Sequence, residues 1–275
     1  SAMAGKRPFV VHPRMDFMLL AFDPLINQAS NWSYLFNSEV SVPLVVRSII
    51  NRGGEQGAQH SQALQSVFMH VPGIKIVMPG TAEDAKGLLY SSFLDNNPVM
   101  YVDDRWCYDQ EGEVSSQLEP IEIGKAKVLK EGSDITIVTY SYMVEEVLKA
   151  EKILSKDGLS IEIINLRTIK PYDKDTIVKS VQKTGRAIIT DTCWTEGGVA
   201  GEISSYLSGQ LFGTLKCPII RTGLLNSPAP CASSLEQAYY PDYKTVQAAV
   251  EVLMGKKSIN EINDYNNDIP GFITY

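Results

Sequence analysis

Histidine is scarce in this chain, with three residues among 275, and cysteine is nearly so, with four. Cys107, Cys193, Cys217 and Cys231 form no C-x-x-C pair, and no histidine stands at ligand spacing from any of them. That pattern argues against a zinc site and against a disulfide framework. Scattered thiols instead suit a reducing compartment. No apolar run approaches the roughly 18 to 20 residues of a membrane span. The polar stretch from Lys6 to Arg14 is no signal-peptide core. Positive charge is not in excess either: the net charge is -7. A nucleic acid or an anionic membrane would want a basic face, so both are poor partners. Neither G-x-G-x-x-G nor G-x-x-x-x-G-K-[ST] occurs, and there is no nucleophile elbow.

What is present is ordinary globular material, 44 % hydrophobic and 21 % charged. At roughly 150 residues per domain the length suggests two domains. Apolar runs alternate with helical patterns. "VPLVV" (42–46), "IKIVM" (74–78) and "PVMYV" (98–102) read as buried strands. Between them lie a helix over 62–70, capped by Ser61, and one starting at "TAED" (81–84), a capping box with Thr81 as N-cap and Asp84 reaching back. Residues 111–132 form a polar linker with "KAKVL" as a short edge strand. A second block follows from 133 to 275. Its strands are "ITIVTY", "LSIEIINL", "RAIIT" and "CPIIRT"; its helices include one capped by Asp173 and stopped by Gly185, and one opened by "GGVAGE". Strand–helix alternation means mainly parallel sheets with right-handed crossovers, hence an α/β fold of two domains, 1–110 and 133–275.

The candidate sites are few. His60 lies in "GEQGAQHSQALQSVF", in a glycine-opened loop after a strand, where α/β sheets bind ligands. It reads equally as a proton-handling residue or as a ring satisfying loop carbonyls. His70, at the end of its helix, suits the helix dipole and a structural role. His12 stays open. "GGVAGE" (197–202) sits where a phosphate loop would, but tight packing explains its glycines as well. "DNNP" (95–98) is a turn whose carbonyls suit a hard cation.

"GAQHSQ", "HVPGIKIVMPGTAEDAKGLL" and "DNNPV" closely resemble the β subunit of the thiamine-diphosphate-dependent 2-oxo acid dehydrogenases, the decarboxylating component of pyruvate and branched-chain complexes. "INLRTIKPYDKDTI" resembles the transketolase-like C-terminal domain of that subunit. The resemblance implies a pyrimidine-binding domain followed by that C-terminal domain. It implies oxidative decarboxylation of a 2-oxo acid, with the acyl group passing to a lipoyl carrier. Thiamine diphosphate would be shared with an α subunit that grips the diphosphate and magnesium. A second β subunit and the lipoyl acyltransferase core would be further partners. The compartment would be the bacterial cytoplasm or the mitochondrial matrix. Carried over residue by residue, His60 matches the catalytic histidine, and Phe17 in "MDFMLL" matches the aromatic that stacks on the aminopyrimidine. Leu44, Ser92, Asp95 and Asn97 match positions whose carbonyls hold potassium.

One departure bears on the cofactor. The activating glutamate of the family lies before the stretch that "SAMAGKRP" resembles, and no glutamate precedes Glu39. The first domain is therefore expected to be incomplete and the chain inactive alone. The apolar cluster Phe17, Met18, Leu19, Leu20, Phe22, Trp32, Tyr34 and Phe36 is expected to leave an uncovered face. Alternatives are a non-catalytic assembly module and an acetoin dehydrogenase-type subunit. Pyruvate, branched-chain oxo acids and acetoin all stay open as substrates.

Overall fold

The computed structural model describes residues 1–263 and 269–275. In chain order its strands are β1 (Phe9–His12), β2 (Val45–Ile50), β3 (Lys75–Val77), β4 (Val99–Asp104), β5 (Lys127–Lys130), β6 (Ile135–Thr139), β7 (Ile161–Asn165), β8 (Thr168–Lys170), β9 (Ala187–Trp194), β10 (Ile220–Leu224) and β11 (Phe272–Thr274). The helices are α1 (Trp32–Leu35), α2 (Gln65–Met69), α3 (Ala82–Leu94), α4 (Met143–Leu154), α5 (Lys174–Thr184), α6 (Val199–Gln210), α7 (Ser233–Tyr239), α8 (Tyr243–Leu253) and α9 (Ile259–Ile262).

Two mainly parallel sheets carry these elements. The first has the order β1-β2-β4-β3-β8 and the second β11-β10-β9-β6-β7-β5. β8 pairs antiparallel with β3, although it lies within the second block of the sequence, so the two halves share a sheet. Nothing in the apolar pattern marks so short a strand as belonging to the first sheet. β5 pairs antiparallel with β7 and closes one edge of the second sheet, which places "KAKVL" at an edge, as expected.

The local chemistry accounts for most boundaries. Asp173 accepts from the Thr176 amide and caps α5, and Gly185 ends it in the left-handed region. Three expectations need correction. The strand expected at 42–46 begins only at Val45, because Pro43 has no N–H to donate to a ladder. The capping box at α3 is half made. Thr81 accepts from the Asp84 amide at 3.1 Å, but the Asp84 carboxylate turns to Asn165 and Arg167, both at 2.7 Å. It thereby ties α3 to the second half. The helix expected over 62–70 forms only from Gln65, and Ser61 does not cap it.

One apolar core runs through the junction. Met15, Phe68 and Ile76 from the first half pack with Tyr140, Ile169, Val199 and Leu207 from the second. A separate core lies between α4, α8 and the other face of the second sheet, with Ile135, Val147, Ile163, Val246 and Ala249 fully or nearly buried.

In the junction sits a buried ion pair. Arg52, just beyond β2, donates to the Asp104 carboxylate at the end of β4, at 2.5 Å, with both side chains fully buried. Its guanidinium also donates to the Thr192 carbonyl of β9 and stands 4.6 Å from the Tyr142 ring centroid and 5.5 Å from that of Tyr240. Burial pushes the Asp104 carboxyl above its ordinary range, opposed by the Arg52 charge. Removing one partner of such a pair strands a buried charge. Arg52→Ala should therefore lose about 3–5 kcal/mol in urea unfolding. Arg52→Met combined with Asp104→Leu should recover most of that loss. An Arg52→Ala change within 1 kcal/mol of the parent would show that the pair does not hold the junction.

Candidate active site

The loop between β2 and α2 is built by left-handed backbone. Gly53, Gly54 and Gly57 have φ of 66, 71 and 70°, and Glu55 joins them at 61°. Glycine is the residue that adopts this region without steric cost. At Gly57 there is a second constraint: an added Cβ would lie 2.4 Å from the Cys231 sulfur. The Glu55 amide donates to Glu236 at 3.0 Å. The loop thus lies on residues of the second half, and His60 within it is half-buried. The His60 amide closes the turn on the Gly57 carbonyl at 3.3 Å.

Phe17 meets His60 from the other side. It lies on a tight helical segment, Met15–Ala21, and its ring stands edge-on to the imidazole, with centroids 5.3 Å apart and planes at 86°. The neighbouring Asp16 fixes this segment. Its carboxylate accepts from the Gln62 amide at 3.2 Å and from the Gln62 side chain at 2.9 Å. Leu64 adds a backbone donation to the Met15 sulfur at 3.3 Å. So the two residues expected to act together are brought together, and Phe17 is half exposed. The other histidines stand apart from this contact. His70 is the exposed residue just after α2, and His12 is half-buried in β1, where burial lowers its pKa.

Asp16, Arg52, Gln65 and Thr192 support the loop and were not singled out from sequence. Polar residues beside glycines carry no pattern that distinguishes a brace from a solvated surface.

The segment around Leu44, Ser92, Asp95 and Asn97 is also gathered, where the chain before β2 runs beside the turn after α3. Several of its groups already have partners. The Leu44 carbonyl accepts from the Val99 amide at 2.9 Å, and Arg7 donates to the Asp95 carbonyl at 2.7 Å. Lys75 pairs with the Asp95 carboxylate, which also accepts from the Asn97 amide at 2.8 Å. The Ser92 hydroxyl turns back to the Leu88 carbonyl at 2.7 Å.

The glycines at 197–202 do open a helix, but its N-terminus is occupied by the chain itself. Asp191 accepts from the Ala200 amide at 2.7 Å. An added Cβ on Gly198 would lie 2.3 Å from the Trp194 carbonyl oxygen. These glycines permit close packing, and the phosphate-loop reading fails because a carboxylate already fills the anion position. Burial, with Asp191 beside it, pushes the Cys193 thiol well above its ordinary range.

Comparison with known proteins gives this arrangement its context. Residues 1–107 match the family described as "Transketolase, pyrimidine binding domain", and residues 124–246 match "Transketolase, C-terminal domain". The β subunit of an acetoin:2,6-dichlorophenolindophenol oxidoreductase from Cupriavidus necator is 37% identical over 254 residues, covering 92% of this chain and 75% of that protein. The β subunit of the pyruvate dehydrogenase E1 component from Rickettsia felis is 38% identical over 251 residues, covering 91% and 77%. The chain belongs to this family of transketolase-like β subunits. A solved split-gene transketolase, described as an inactive β4 tetramer, shares the fold, with a TM-score of 0.76 at 22% identity over 92% of this chain and 78% of that one.

Large apolar side chains are exposed in two stretches. Next to Phe17 in the chain, Leu20 is 93% exposed and Leu19 is also open. On and just after α1, Tyr34 is 88% exposed, with Leu35 and Phe36 also open. Met18, by contrast, is fully buried, and Phe22 and Trp32 are half-buried, so the expected uncovered face is narrower than the apolar cluster in the sequence. The chain alone should bind a hydrophobic dye or self-associate at high concentration. Leu20→Ser with Leu35→Ser should weaken both without lowering the melting temperature. A monomer that binds no dye would contradict this reading of the face.

Proposed function

We propose that this chain acts as the β subunit of a thiamine-diphosphate-dependent component that decarboxylates a 2-oxo acid and passes the acyl group to a lipoyl carrier; the alternative is an acetoin dehydrogenase-type subunit, which cleaves acetoin without decarboxylation. The observation that carries this reading is the edge-on Phe17–His60 pair, braced from beneath and open on its outer side. Family membership and the names of the relatives support it. A half-exposed aromatic ring beside an imidazole fits a flat heteroaromatic ring laid against it. Thiamine diphosphate, when bound, supplies the carbanion chemistry of decarboxylation.

This chain's residues then have two tasks. Phe17 offers the stacking surface for the aminopyrimidine. His60 holds or delivers a proton at its imidazole, near the reacting atoms, and its loop keeps it at the edge of the subunit, where a partner can reach it. The diphosphate and magnesium belong on the α subunit in this reading, and the exposed apolar face next to Phe17 is where that subunit would sit. A second β subunit and an acyltransferase core complete the assembly expected of such a component. A potassium ion at Leu44, Ser92, Asp95 and Asn97 fits less well, because Arg7 and Lys75 already place two positive groups on Asp95. No role in the reaction is assigned to it.

Two substitutions in the full-length β subunit, assembled with its α subunit, test the reading. His60→Asn keeps a polar side chain of similar reach but cannot carry a proton. Turnover should fall about a hundred- to ten-thousand-fold with the melting temperature nearly unchanged. Phe17→Ala should weaken cofactor binding by roughly three- to tenfold, the value of one aromatic stack. Activity of His60→Asn within a few-fold of the parent would remove His60 from the chemistry.

A further inference from the structure

The loop that carries His60 is fastened at both ends to one residue of the other half of the molecule. At its start, the Arg52 guanidinium donates to the Thr192 carbonyl. At its end, the Gln65 side-chain amide, in the first residue of α2, donates to the Thr192 hydroxyl at 2.9 Å. Arg52, Gln65 and Thr192 are all buried. Thr192 itself is held in place. Its amide donates to Asp191 at 2.7 Å, and the same carboxylate accepts from Ala200 at the start of α6. Asp191 also accepts from the Tyr140 hydroxyl, beyond the end of β6. A fixed point in the second sheet therefore lies under both feet of a loop that belongs to the first. Between the feet the loop has few internal bonds, the one from His60 to Gly57 among them.

We propose that Thr192 is a positioning residue for His60. Through Arg52 and Gln65 it pins the two feet of the loop, so the imidazole's reach is set by the second half of the molecule. The catalytic side of this proposal rests on His60 acting as read above; the anchoring does not. The hydroxyl is the part that can be removed without disturbing the Arg52 contact, which uses the backbone carbonyl. Thr192→Val keeps the shape and loses the hydroxyl, and Thr192→Ser keeps the hydroxyl and loses a methyl.

Hydrogen exchange is measured on the chain carrying each substitution, and kcat and KM on the full-length β subunit carrying the same substitution and assembled with the α subunit. In Thr192→Val, the amides of Glu55, His60 and Gln62 should exchange about tenfold faster, the value of one buried hydrogen bond. Amides of β6, β9 and α6 should keep the parent rate. Turnover should fall on the order of ten- to a hundredfold with KM nearly unchanged, as a displaced catalytic group produces. Thr192→Ser should restore both. Exchange unchanged in the loop, or raised evenly across the second sheet, overturns the anchoring. A local rise in exchange with normal turnover, while His60→Asn abolishes turnover, overturns the positioning role. If His60→Asn leaves turnover intact, the assignment of His60 fails, and a local rise in exchange still establishes Thr192 as the anchor of the loop.

Discussion

The junction of the two halves turns on a single buried cation. Arg52 has no access to water, so its charge must be answered from within, and the answers come from several elements at once: Asp104 from β4, the Thr192 carbonyl from β9, and the rings of Tyr142 and Tyr240. Taking a guanidinium out of water costs several kcal/mol, and only a nearly complete set of partners offsets it. That requirement gives the two sheets one relative placement. Asp84 reinforces it by holding Asn165 and Arg167, and the antiparallel pairing of β8 with β3 makes it continuous in the backbone.

The candidate site follows from that placement. His60 sits at a carboxyl-end loop of a mainly parallel sheet, the place where such sheets bind ligands. Its loop is glycine-rich because the chain must run through left-handed backbone while lying against Cys231. The underside of the site is rigid and polar, with Asp16 gripping Gln62 and Thr192 gripping Gln65. Beside Phe17 the chain leaves Leu19 and Leu20 uncovered. A braced underside with apolar side chains left open beside Phe17 suits a site completed by another subunit, with the half-buried imidazole at its border.

How much of this could be read from residues alone varies with the range of the interaction. The parallel strands, the α5 cap at Asp173 and the stop at Gly185 depend on neighbours in the chain and were legible. The pairing of His60 with Phe17 was legible only through family resemblance; by periodicity Phe17 passes for core. Ser61 and Asp84 look like caps in sequence, yet Ser61 caps nothing and Asp84 serves the second half. Their partners are far along the chain, and a short polar side chain gives no sign of which partner wins. Arg52 and Thr192 were silent for the same reason. The glycines at 197–202 were ambiguous until Asp191, from the adjoining strand, was seen at the helix N-terminus.

The central claim is that a cofactor ring comes to rest against Phe17 and His60. With only three histidines in the chain, it can be tested by nuclear magnetic resonance on the assembled α/β protein with 15N-labelled histidine, the His60 signals being identified by their loss in His60→Asn. On titration with thiamine diphosphate the His60 ring resonances should shift, while those of His12 and His70 stay in place. Saturating cofactor that leaves His60 unmoved, or that shifts all three histidines alike, would contradict the account.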